Sequence, residues 1–298
     1  MKASDVVARG QRPGWWLGPA IVYLCWFLCI IIVHLVPALP PLSALIQWSI
    51  YIIPLSLVYC LRPRGDGFWR SVGLRREGLF TGLVWTLALG LLFDIIIAGY
   101  VGAIEAVFGF NPSRMVSEHF ERVLPDWYFA CLLISSFVPT GLVEELVFRG
   151  YILDRFLARG PLFAVSLSSL MFSLMHLWYA TTFGYRGLPL FGMAFLMAVY
   201  FGLAYSKSRN VVWLVVFHGI NNVMGPLHHF FGARLTAIVD IALLMAGAAS
   251  ALYIAYDRLA RPSEADPPDR HRWFGAPSET AVEAPWAHSS FIYGADNS

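Results

Sequence analysis

Long apolar runs separated by short polar stretches occupy most of this chain. The first extends from Trp15 to Val36, and a second covers about 42–61. A third runs from about Leu79 to Phe108. At roughly 1.5 Å per residue it is longer than a bilayer core needs, so it tilts, bends or protrudes. A fourth starts near Trp127 and is expected to continue to about 157, with Pro139-Thr140-Gly141 as a place to bend. Four more follow at about 162–179, 188–206, 210–226 and 235–256. The first run is too long for a signal-peptide apolar region and lacks a small-residue cleavage site, so it reads as an uncleaved span. The pattern predicts an all-α fold, a polytopic membrane helix bundle with about eight transmembrane helices.

The polar stretches divide the chain. Residues 1–13 read as a cytoplasmic N-terminal segment, 14–260 as the transmembrane domain with a motif core at 127–226, and 261–298 as a disordered cytoplasmic tail. That tail is rich in Pro, Ala, Ser and acids, with little to bury. The segment Asn111–Asp126 is polar and expected to be exposed.

Composition agrees. Of 298 residues, 58% are hydrophobic and 13% charged, against about 45–50% and about 25% in soluble domains. The net charge of +2 says little, and no nucleic-acid partner is expected. Cys25, Cys29, Cys60 and Cys131 all lie in apolar runs, with neither metal-ligand spacing nor a disulfide framework. The distribution of charge is more informative. With eight spans and the N-terminus inside, all but four of the 21 Lys and Arg fall on inside segments; Arg114, Arg122, Arg186 and Arg234 fall outside. That is the positive-inside bias, and it puts both termini in the cytoplasm.

The chemistry sits where charge is most expensive. Val143-Glu144-Glu145-Leu146-Val147-Phe148-Arg149-Gly150 places two carboxylates and a guanidinium inside an apolar run. Such groups in a membrane are usually functional or paired. Glu145 and Arg149 are i,i+4 neighbours with the acid first, the favoured order for an ion pair, whose plain reading is structural. Glu144 points about 100° away and has no local partner, which favours a chemical role. The fifth run carries Phe172-x-x-x-His176, and the seventh carries His218-x-x-x-Asn222, also one face of a helix.

Each of these histidines alone reads more easily as a packing residue. Depth ties them together. Measured from the expected inner ends at about 1.5 Å per residue, Glu144, His176 and Asn222 lie roughly 20 Å in and His218 roughly 14 Å. All four thus fall within about one helical turn of a common level. Asp94 and Asp240 are further intramembrane acids. Asp94 is a weaker candidate for the same site, and His228 and His229 read as a solvated loop.

The set Glu144-Glu145-x-x-x-Arg149, Phe172-x-x-x-His176 and His218-x-x-x-Asn222 resembles the type II CAAX prenyl endopeptidase family, which includes bacteriocin-processing and abortive-infection membrane proteases. The resemblance covers about 127–226. It implies a glutamate-type intramembrane endopeptidase, with Glu144 as the base that activates water and His176 assisting. It further implies His218 and Asn222 as the oxyanion pair, Glu145 and Arg149 as support, and no cofactor. The substrate would be a peptide or protein, prenylated or carrying a leader peptide, and the enzyme would be integral to the plasma (inner) membrane of a prokaryote. Two alternatives stay open. Glu144, His176 and His218 form a carboxylate and two-His set of a kind that binds catalytic zinc, although no His-Glu-x-x-His helix is present. The other is a non-enzymatic membrane immunity or scaffold protein, or a transporter using the same polar groups as a relay.

Overall fold

In the computed structural model, residues 14–35, 40–62, 67–123 and 125–260 are described; the N-terminal segment 1–13 and the tail 261–298 expected above lie outside them. The described residues form helices with no strand among them. These are α1 (Leu17–Leu35), α2 (Pro40–Leu61), α3 (Leu79–Phe108), α4 (Pro112–Val123) and α5 (Asp126–Arg159). Then come α6 (Pro161–Leu174), α7 (Trp178–Phe183), α8 (Leu188–Ser208) and α9 (Val212–Ala260). Among the described residues, four helical stretches are long and apolar enough to cross a membrane: α3, α5, Trp178–Ser208 and Val212–Leu259. Leu17–Val33, Ile50–Leu61 and Pro161–Leu174 are shorter apolar helices. The fold is an all-α membrane helix bundle, and apolar side chains such as Leu92, Ile95, Ile134 and Leu252 cover its outer face.

Three elements differ from the sequence pattern. The fifth run does not stay helical to 179; α6 ends at Leu174 and His176 lies in a turn. The ladder tightens there, with His176 N donating to Ser173 O and Leu177 N to Leu174 O. The Phe172 carbonyl, which a regular helix would give to the His176 N–H, accepts from Met175 N and from the His176 ring. Side-chain competition of this kind ends helices. The seventh and eighth runs follow each other without a loop, as two helical halves of α9 that meet at a kink. Its break is not at Pro226 but at Gly232, whose φ of 73° and ψ of 179° suit glycine. His229 is therefore not in a solvated loop; its Nε2 lies 3.1 Å from Asp126 Oδ1 and its ring stacks on Phe129 at 4.3 Å. The polar segment after α3 forms α4, with apolar and charged side chains well segregated around it.

The loops sort into two ends. At one, Arg75 Nε donates to Arg209 O at 2.7 Å, and Arg209 Nη1 pairs with Asp154 Oδ1 at 2.9 Å. Tyr205 OH donates to Asp154 Oδ1 at 3.0 Å. This ties together three segments expected on one side of the membrane. At the other, Arg186 lies 5.6 Å from the Phe110 ring and His119 packs on Phe183 at 5.0 Å.

α5 is the central element. Val138, which precedes Pro139, is extended (φ −137°, ψ 117°), as the proline ring demands of its predecessor, and this bends the helix just before Glu144. Beyond the bend every residue from Glu145 to Leu153 is buried. Leu146–Leu153 winds with the wider i→i+5 spacing, often found at functional sites. α1 packs on this stretch through Trp26 against Phe148 (5.4 Å). The Val72 backbone crosses α5 at Gly150, where its carbonyl occupies the space a Cβ would need. Gly150→Ala is therefore expected to destabilise by about 1–3 kcal/mol through overpacking, read as a lower melting temperature in detergent. A wild-type melt would show that the crossing is not tight.

Candidate active site

Two close approaches bring α9 to the bend in α5. At Gly141 an added Cβ would stand 2.9 Å from Ser136 O and 3.1 Å from Val215 O. At Gly219 it would meet the Phe137 ring. With no side chain at either position, α9 lies near enough for His218 to reach the carboxylates on the next turn of α5.

Glu145 is fully buried, and its Oε1 accepts from Arg149 Nη1 at 2.8 Å and from His218 Nδ1 at 2.7 Å. Arg149, 2% exposed, also donates to Ala198 O at 3.4 Å and lies over the rings of Phe172 (4.7 Å) and Phe201 (5.3 Å). The expected i,i+4 pair thus exists, and it has a third member from another helix. A carboxylate paired to arginine is ionised and can only accept, so His218 Nδ1 carries the proton. That turns Nε2 toward Glu144, whose Oε2 lies 3.7 Å away. Glu144 Oε2 is buried and has no protein hydrogen-bond partner.

His176 is fixed by the same logic. Its Nδ1 lies 3.0 Å from the Phe172 carbonyl, which cannot donate, so Nδ1 holds the proton and the neutral ring offers Nε2 as an acceptor. Phe172 (4.8 Å) and Tyr179 (5.7 Å, interplanar 23°) hold the ring between them. Phe172 also contacts His218 at 6.2 Å, so one phenyl ring touches both histidines.

Asn222 is half-buried and follows His218 by one turn, but makes no hydrogen bond to Glu144, Glu145 or either histidine. Asn221 turns elsewhere, its Nδ2 lying 3.4 Å from Met197 Sδ. Asp94 stands apart from this cluster, beside Asp240 in a separate cavity. The sequence reading missed Tyr179 and the pair Tyr51–Thr140, joined at 3.2 Å beside the bend. Both tyrosines are within electrostatic reach of Glu144. Among so many aromatic residues only the tertiary contact distinguishes them.

The arrangement offers an unpartnered carboxylate, a neighbouring histidine whose tautomer a buried ion pair imposes, and a second histidine with an open nitrogen. No curated protein matches the chain, and neither does any solved structure. Residues 126–224, which hold every member of the cluster, match the model of the Rce1-like family, described as type II CAAX prenyl endopeptidase Rce1-like.

Proposed function

We propose that the chain is a CAAX-protease-like glutamate endopeptidase whose base is Glu144. The observation that carries this reading is the buried Glu144 Oε2, 3.7 Å from a histidine that the Glu145–Arg149 pair orients. In the reaction Glu144 takes a proton from water as the water oxygen attacks the peptide carbonyl. His176 Nε2 accepts a hydrogen bond from that water. The carbonyl oxygen becomes an oxyanion, to which Asn222 Nδ2 donates. Because Nδ1 of His218 is held by Glu145, His218 donates to the oxyanion only from Nε2, as imidazolium. As the C–N bond breaks, Glu144 returns its proton to the leaving nitrogen, and the other product is a carboxylic acid.

No metal enters this scheme. Cleavage that persists after thorough chelation, with no stoichiometric metal by elemental analysis, is the expected result; loss of turnover on zinc removal would refute it. The substrate we propose is a membrane peptide or protein, prenylated or with a leader peptide, cleaved by an integral enzyme of a prokaryotic plasma membrane with cytoplasmic termini. The test of function compares peptide N-termini in membranes carrying wild type and Glu144→Gln. Fragments present only with wild type are expected; identical profiles would end the proposal.

The oxyanion role makes a sharper prediction. Asn222→Ala should cost roughly 10²–10³ in rate with little change in substrate affinity, as loss of one oxyanion donor does. Asn222→Asp should be at least as damaging, since it sets a negative charge beside the developing oxyanion. Asn221→Ala should be mild. Steady-state cleavage of a quenched fluorescent peptide in micelles checks this, and reversed severities of the Asn221 and Asn222 variants would overturn the assignment.

A further inference from the structure

A cavity of about 370 Å³ lies between α3, α8 and both halves of α9. None of Glu144, Glu145, His176, His218 or Asn222 lines it; Phe201, which does, stands between, its ring 5.6 Å from His218. The volume is within the range of small-molecule sites, about 300–1,000 Å³, which pair apolar walls with a few convergent polar groups. Here the walls are apolar and aromatic, including Phe93, Tyr200 and Phe217, with Phe93 stacked on Tyr200 at 5.2 Å.

The charged groups have one sign. Asp94 and Asp240 both line the cavity and lie within electrostatic reach of each other, and no lining side chain is cationic. Asp94 is near the middle of α3, about 22 Å from either end at 1.5 Å per residue, so the pair lies at membrane depth. Carboxylates there are costly and occur with a partner, yet neither forms an ion pair with a described Lys, Arg or His. Both residues are exposed as well as lining the cavity, so a ligand can reach them from outside the protein. Aromatic faces beside paired acids are the chemistry that recognises an ammonium group.

We propose that this cavity binds a lipophilic amine, a protonated amine on an apolar body. The ammonium sits between Asp94 and Asp240, and the body lies against Phe217, Met197 and the aromatic wall. Asn221, which reaches the same cavity, accepts from the ammonium through its side-chain oxygen. The proposal does not depend on the protease reading.

The probe is dansylcadaverine, with its uncharged N-acetyl derivative as control. Binding is followed by energy transfer from tryptophan in nanodiscs of zwitterionic lipid. Wild type is expected to bind the amine saturably and at least tenfold more tightly than the acetylated form. Asp94→Asn with Asp240→Asn should weaken amine binding at least tenfold. Leu244→Trp, which fills the cavity and keeps both acids, should do the same, whereas Glu144→Gln should bind as wild type. Equal binding of the two probes, or transfer no greater than partition into protein-free discs, overturns the proposal. So does wild-type affinity in either cavity variant. If the double Asn variant does not fold, the two probes on wild type and Leu244→Trp still decide.

Discussion

Glu144→Gln is expected to lower kcat/KM for peptide cleavage by roughly 10²–10⁴-fold, the usual cost of losing a general base, without loss of stability. The substitution nearly preserves shape. Glu144 Oε2 makes no protein hydrogen bond that an amide would forfeit. An amide nitrogen in its place faces His218 Nε2, which accepts when neutral. A scaffold or immunity protein built on the same packing would show no change in function. Cleavage within about threefold of wild type, against the full factor expected for a base, would remove Glu144 from that role. The control is an unchanged melting profile and elution volume in detergent.

The largest effect on stability is expected from Arg149→Ala. The guanidinium is buried with Glu145, donates to Ala198 O and lies over two phenyl rings. Removing it leaves the fully buried Glu145 carboxylate with only His218 for company, and breaking a buried pair from one side costs about 3–5 kcal/mol. The melting temperature in detergent should fall by at least ~5 °C. Turnover should fall as well, because the Glu145 carboxylate then loses the partner that fixes its position, and with it the hold on the His218 ring. Arg149→Lys should rescue only in part, since an ammonium cannot reproduce the planar contact with Phe172 and Phe201. Full thermal stability with complete loss of turnover would make Arg149 a catalytic residue, and the structural account would be wrong.

What could be read in the chain depends on how local each feature is. The i,i+4 pair of Glu145 and Arg149 was legible because helical geometry sets it within one turn. The same holds for His218 and Asn222 on one face. The bend before Glu144 followed from Pro139 acting on its neighbour. The end of α6 was harder, because Phe172-Ser173-Leu174-Met175-His176 is as apolar as a continuing helix. It took the His176 ring occupying the Phe172 carbonyl to stop it. α4 was read only as a polar, exposed segment because its hydropathy is low, although its apolar positions fall on one side.

The sequence by itself determined that this is a membrane helix bundle, because apolar runs of bilayer length leave the backbone no partner but itself. It also determined which polar residues share a turn. The tertiary structure alone decided that His218 belongs to Glu145 through Nδ1 and faces Glu144 through Nε2. It decided that Tyr179 braces His176, and that Asp94 lies with Asp240 in a cavity of its own. These are contacts between distant segments, set by how closely helices cross. The crossings at Gly141, Gly150 and Gly219 depend on what stands opposite each glycine, which no periodicity along one strand of sequence encodes.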